Sequence, residues 1–201
     1  MGKMNLLKAN WEGKVGQTVG AKWKNKSTIR TYTKPSNPNT QAQKTVRTAF
    51  AEMTSFVALF ADQIKYLSAL NTAGQSVRNA IIQANKMQIA DGAFSKPNLL
   101  VSKGGLQKAV ATPPNVVAGK ITFNWQAPTA TNFTENAKFI VVLVQEATGL
   151  VEILEAKATA LSVESKMTFS SGTVDAYYYF LDKRGSNKVA SPSSYNTVVI
   201  D

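Results

Sequence analysis

The pair Pro113-Pro114, directly after Thr112, separates two stretches of this sequence that follow different periodicities. Neither proline supplies an N–H to a strand ladder, so a border is expected there. Downstream the helical spacing disappears. Apolar runs recur instead at roughly the 8–12-residue interval of an all-β sandwich, with strands expected at 120–125, 138–145, 150–155, 166–170, 175–181 and 196–200. Upstream, Val46, Phe50, Met53, Val57, Phe60 and Ile64 follow at steps of four and three, one apolar stripe of about five helical turns. Lys44, Thr48, Glu52 and Ser55 lie opposite it.

Around that helix the local signals are turn and cap chemistry. The prolines of KPSNPNTQAQ forbid regular structure, and Asn39 or Thr40 is a candidate N-cap. A second helix is expected from about Ser76 to Gln88, with Val77, Ile81 and Ala84 on one side, after a turn near Asn71 to Gly74. The two make an αα-hairpin. Leu99 to Val101 and Leu106 to Val110, around Lys103-Gly104-Gly105, read as a short β-hairpin able to pair with an earlier one.

That earlier hairpin is TVGAKWKNKSTIRTYTK, 18–34, rich in Thr, Val, Ile and aromatics around Asn25-Lys26. Alternation taken strand by strand puts Val19, Ala21 and Trp23 on one face and Lys22 and Lys24 on the other. On the second strand Ile29 and Thr31 alternate with Arg30, Tyr32 and Lys34. One side is therefore expected to be apolar and the other basic. The fold class is α+β in two parts: 1–112, a basic β-hairpin arm with a helical hairpin, and 113–201, the sandwich.

Charge is gathered at the front. The net charge is +11, yet residues 1–50 hold ten Lys/Arg against the single acid Glu12, and the remaining residues are nearly balanced. Such asymmetry points to an anionic partner at one end of the molecule. Lys22, Lys24, Lys26, Arg30 and Lys34 are the candidate contacts, with Tyr32 or Trp23 available for stacking. Three readings stay open: a solvated strand face whose lysines discourage edge-to-edge aggregation, contact with acidic protein neighbours in an assembly, and nucleic-acid binding.

Catalysis has little to work with. There is no cysteine and no histidine, which removes disulfides, thiolate chemistry, and the commonest general base and metal ligand. No nucleophile, base and metal-ligand set stands out, so no enzyme activity, metal or cofactor is expected. The glycines at 13, 16 and 20 lack the preceding strand and the Gly-Lys-Ser/Thr ending of a phosphate loop. Leu6 breaks a myristoylation pattern after Gly2. MGKMNLLKAN is too polar for a signal peptide and no run reaches membrane-spanning length, so the expected place is a host cytoplasm or a particle, without membrane contact.

Two resemblances add to this. GKITFNWQAP, with Ile121, Phe123 and Trp125 alternating before Pro128, resembles the second strand of fibronectin type III domains, which carries a core tryptophan. Tyr177-Tyr178-Tyr179-Phe180, Gly185 and Ser191-Pro192-Ser193-Ser194 resemble their closing strands. The match covers roughly 113–201 and implies an immunoglobulin-like sandwich with Trp125 in its core. The string from Gly13 to Phe50 resembles an uncharacterised family of Bacteroidota and their phages and prophages. The pattern is carried by Trp23, Ile29, Arg30, Lys34, Pro35, Asn37, Pro38, Thr40, Gln43 and Arg47. That resemblance implies a phage or prophage setting and no biochemical activity.

The expected function is thus a non-enzymatic, virion-type structural protein that meets other particle proteins or copies of itself through its basic arm and helices. A nucleic-acid-binding accessory protein is the alternative. The motif residues Asn37 to Arg47 read as scaffolding, a rigid turn and helix cap fixing the hairpin against the helix. A sugar or cell-surface ligand for the sandwich has no residue that singles it out.

Overall fold

A computed structural model describes residues 13–23, 26–34, 36–70, 74–90, 92–184 and 187–201, with the side chains of Trp23, Lys26, Ser27 and Ala90 left aside. The chain forms two compact units, 1–40 and 41–201.

Two apolar runs without alternation set the layers of the second unit. Strand β6 (Lys138–Gln145, KFIVVLVQ) and strand β9 (Gly172–Arg184) lie side by side in a five-stranded sheet. Residues on the two faces of a strand alternate, so an unbroken apolar run demands a covering layer on each side. Register sorts the faces. Ile140 opposite Tyr179 and Val142 opposite Tyr177 share one face, while Phe139 opposite Phe180 and Val141 opposite Tyr178 share the other.

The first face is covered by helices. Helix α1 (Gln41–Phe60) buries Met53, Phe56, Val57 and Phe60 against Ile140, Val142, Tyr177 and Tyr179, together with Ile64 just beyond its end and Val77 and Ile81 of α2 (Val77–Ala84). Two fully buried tyrosines add direction to this contact. Tyr177 Oη donates to the Lys96 carbonyl at 3.0 Å and Tyr179 Oη to the Leu67 carbonyl at 3.2 Å, satisfying hydroxyls that could not otherwise be buried cheaply.

The second face meets a three-stranded sheet of β4 (Asn115–Val117), β5 (Lys120–Asn124) and β8 (Ser162–Glu164). Ile121, Phe123 and Trp125 point inward, and the Trp125 ring stacks on Phe139 at 4.0 Å while its Nε1–H donates to the Ala158 carbonyl at 2.9 Å. Residues 115–200 are therefore a β-sandwich, with helices as a third layer outside it. The sheet is completed by β7 (Leu150–Lys157), β10 (Asn187–Ala190) and β11 (Ser194–Ile200), the last two sharing one edge of β9.

Several expectations need correcting. A border at 112 would cut through the 41–201 unit, because the helices and the sandwich share one buried cluster. The hairpin expected across Gly104-Gly105 does not form. Residues 99–110 run as irregular chain along β10 and β11: the Val101 N–H donates to Ser193 Oγ at 3.0 Å, the Leu106 N–H to the Ala190 carbonyl at 3.1 Å, and Ser194 Oγ to the Ala109 carbonyl at 3.0 Å. Gly104 is a close approach, since a Cβ there would lie 2.1 Å from the Ala190 carbonyl oxygen. Its chain covers a sheet edge instead of building a second hairpin.

The helix expected over 76–88 begins on its Ser76 cap, the Asn79 N–H donating to Ser76 Oγ at 3.2 Å, but breaks at Asn85 into α2 and α3 (Lys86–Ala90). Buried Asn85 turns its side chain to the neighbouring segment, donating to the Leu100 carbonyl at 2.9 Å and accepting from the Leu100 N–H at 2.8 Å. Among the stripe residues of α1, Val46 and Phe50 are exposed, and the buried face is made by Ala49, Met53, Phe56, Val57 and Phe60 instead. The strand expected at 166–170 lies earlier, at β8, and β4 and β10 were not anticipated. The turn residues 71–73 and Gly185 lie outside the described residues.

Candidate functional site

The basic N-terminal stretch forms a three-stranded antiparallel sheet of β1 (Gly13–Val15), β2 (Thr18–Trp23) and β3 (Lys26–Thr31) in the order β1-β2-β3. The hairpin is as expected, with an additional strand on its outer side. Its faces are not. The β2–β3 register pairs Val19 with Arg30, Gly20 with Ile29, Ala21 with Thr28 and Lys22 with Ser27. Directly opposed residues share a face. Arg30 thus stands with Val19 and Ala21, and Ile29 stands with Lys22, so each face mixes apolar and cationic groups. The expected division into an apolar and a basic side fails because the two strands alternate out of phase across the turn.

One row crosses all three strands: Lys14 opposite Val19, and Val19 opposite Arg30. Adjacent strands are spaced about 4.8 Å apart, which puts the Lys14 and Arg30 backbones about 10 Å from one another. Tyr32 follows on the same face, and Lys14 Nζ lies 3.7 Å from its ring centroid. Together with Gly13, Thr31 and Thr33 these residues line a shallow concavity of about 380 Å³. The Lys14 ammonium thus makes a cation–π contact with one face of the exposed Tyr32 ring.

Of the candidate contacts, Lys22, Arg30, Tyr32 and Lys34 are exposed. Lys24 and Pro35, and the side chains of Trp23 and Lys26, lie outside the described residues. The scaffold residues Asn37, Pro38 and Thr40 are exposed ahead of α1, Asn39 takes a left-handed backbone with φ of 51°, and Gln43 and Arg47 sit one turn apart on the helix. Trp125 is a core residue, as the fibronectin-like reading implied.

Sequence reasoning missed a polar network where the helical layer meets the sheet. Lys96 Nζ bridges Glu146 at 2.5 Å and Asp175 at 3.0 Å and lies 4.9 Å from the Phe56 ring centroid. Tyr195 Oη donates to the other oxygen of buried Asp175 at 2.6 Å, and Thr197 Oγ1 donates to Tyr195 Oη at 2.7 Å. Burial works against the Lys96 charge, but the two carboxylates outweigh it and hold its pKa above the ordinary value. Residues 79 apart in sequence make this network, so no local spacing announced it. Every charge in it has a partner.

Among the described residues no group of three His, Cys, Asp or Glu could hold a metal ion, and no helix is long and apolar enough to cross a membrane.

Neither family models nor curated proteins gave a match to this chain. Solved structures similar to it are fibronectin type III domains. One is the domain spanning residues P368–P466 of human collagen XX, at 11% identity, covering 48% of this chain and 94% of that one with a TM-score of 0.35. Another belongs to human fibronectin type III domain containing protein 3, at 16% identity, covering 50% and 90% with a TM-score of 0.33. Scores this low leave the sandwich architecture resting on the strand pairing itself.

Proposed function

We propose that this chain is a non-enzymatic structural protein of a phage or prophage particle, held in its assembly by a basic N-terminal sheet that contacts anionic protein neighbours, other particle components or copies of itself. One observation carries the reading. Residues 1–40 hold eight Lys/Arg against one acid and form one of the chain's two compact units. Among the described side chains before Ala49 no apolar one is buried. Three strands whose described apolar side chains are all left unburied are marginal by themselves, and a partner surface would supply what the unit lacks.

The body has the opposite character, with two continuous hydrophobic clusters, as suits a rigid subunit. The phage setting comes from the N-terminal string and its Lys34-Pro35-Ser36-Asn37-Pro38 motif. Mass spectrometry of purified particles tests the proposal. The chain is expected among their components in multiple copies. A monodisperse monomer at high concentration, absent from the particles, refutes it.

A further inference from the structure

We infer that the open edge of β3 is a docking strand for an extended acidic polypeptide segment, which adds to the basic sheet as a fourth strand. The inference rests on the proposal that this sheet meets an anionic protein neighbour and says how the contact is made.

The geometry follows from hydrogen-bond parity. The Tyr32 N–H donates to the Gln17 carbonyl at 2.7 Å, so the backbone of residue 32 turns toward β2. In an antiparallel ladder the groups of every second residue turn the same way. Arg30 and Thr28 therefore bond inward, and Ser27, Ile29 and Thr31 present their N–H and carbonyl groups outward, repeating about every 6.8 Å. No described strand pairs with that side of β3. In the body, residues 99–110 cover the edge made by β10 and β11.

Charge then selects the occupant. Paired antiparallel with Arg30 opposite Arg30, a second β3 from another copy would set two guanidinium groups side by side, which disfavours that pairing of the strand with itself. A strand carrying carboxylates at alternate positions would set them beside Arg30 on one face while main-chain hydrogen bonds form along the edge. Nucleic acid is the weaker fit. It offers no main-chain ladder for the outward N–H groups, and one face of the Tyr32 ring that would stack a base is occupied by Lys14.

The test compares three labelled probes binding to the full chain at low salt: a twelve-residue peptide alternating glutamate and threonine, one alternating glutamate and proline, and a twelve-nucleotide oligothymidine. The glutamate–threonine peptide is expected to bind most tightly and to slow amide exchange at Ile29 and Thr31. Thr31→Pro, which removes an outward donor that the internal ladder does not use, should weaken it about tenfold, and Thr31→Ala should not. Equal binding of the two peptides with unchanged amide exchange overturns strand addition and leaves the charge-based proposal standing. Tighter binding of the oligonucleotide than of either peptide, or no peptide binding, overturns both. Amide exchange is read on the unmodified chain, so the outcome does not depend on the proline variant folding.

Discussion

Replacing Phe60 by alanine tests whether the helices and the sandwich are one body. Phe60 is fully buried, 5.8 Å edge-on from Phe56 and 6.2 Å from Tyr177 in a stacked arrangement, so truncation leaves a cavity between helix and sheet. Phe→Ala in such a core costs about 3–5 kcal/mol. For a unit the size of 41–201, each kcal/mol lowers the melting temperature by about 2–4 °C, giving an expected fall of about 6–20 °C. Trp125 is the reporter, read by fluorescence in a chain whose Trp11 and Trp23 are phenylalanine. It packs on Phe139, on the sheet face opposite Phe60, so it senses the perturbation only through the shared sheet. Circular dichroism of the helices and Trp125 fluorescence should fall together in one transition. If Trp125 unfolds at the unchanged temperature while the helical signal melts lower, the layers are separate modules and the reasoning fails.

Further outcomes follow from single groups. Gly104→Ala should destabilise by about 1–3 kcal/mol, because the new methyl meets backbone at Ala190, whereas Gly105→Ala, with open space around it, should stay within about 0.5 kcal/mol; equal denaturant midpoints would contradict this. Burial alone would raise the Asp182 pKa, but the Thr134 hydroxyl at 2.5 Å, Arg184 Nε at 3.0 Å and the Thr134 N–H at 3.1 Å hold it below the usual range. Its stabilisation is present above about pH 3.9 and lost as pH falls through the lower folded value. Asp182→Asn should therefore lose that contribution and flatten the acid limb of the stability curve, and an unchanged limb would contradict the assignment. Burial pushes the Tyr177 and Tyr179 phenols up, with nearby Asp175 adding to the first and Glu155 to the second. Their contribution is present below about pH 10 and lost as pH rises beyond it, so phenolate absorbance for these two should appear only with alkaline unfolding.

Much of this fold was legible because its signals are local. The alternation of Ile121, Phe123 and Trp125, the β6 run and the Ser76 cap are read within a few residues. The helical layer was misplaced because its evidence lay in what β6 and β9 lack: neither run alternates, and that demands cover on both faces. Pro113-Pro114 marks the entry to β4, not the end of a domain. Gly104-Gly105 imitates turn chemistry while serving close packing along a sheet edge. The basic face was misassembled for a simpler reason. Assigning faces to β2 and β3 separately omits the phase set by their connection, which pairs Trp23 with Lys26 and so Val19 with Arg30. The Lys96–Asp175–Tyr195 clamp depends on tertiary closure and left no trace in residue spacing.

The division of labour between front sheet and folded body is tested most directly by quantifying, in purified particles, a chain carrying Lys14→Glu, Lys22→Glu, Arg30→Glu and Lys34→Glu. All four substitutions fall within the 1–40 unit. The variant should keep the unfolding temperature of its Trp125-reported body and disappear from the particles. Incorporation at the unsubstituted copy number would contradict the account.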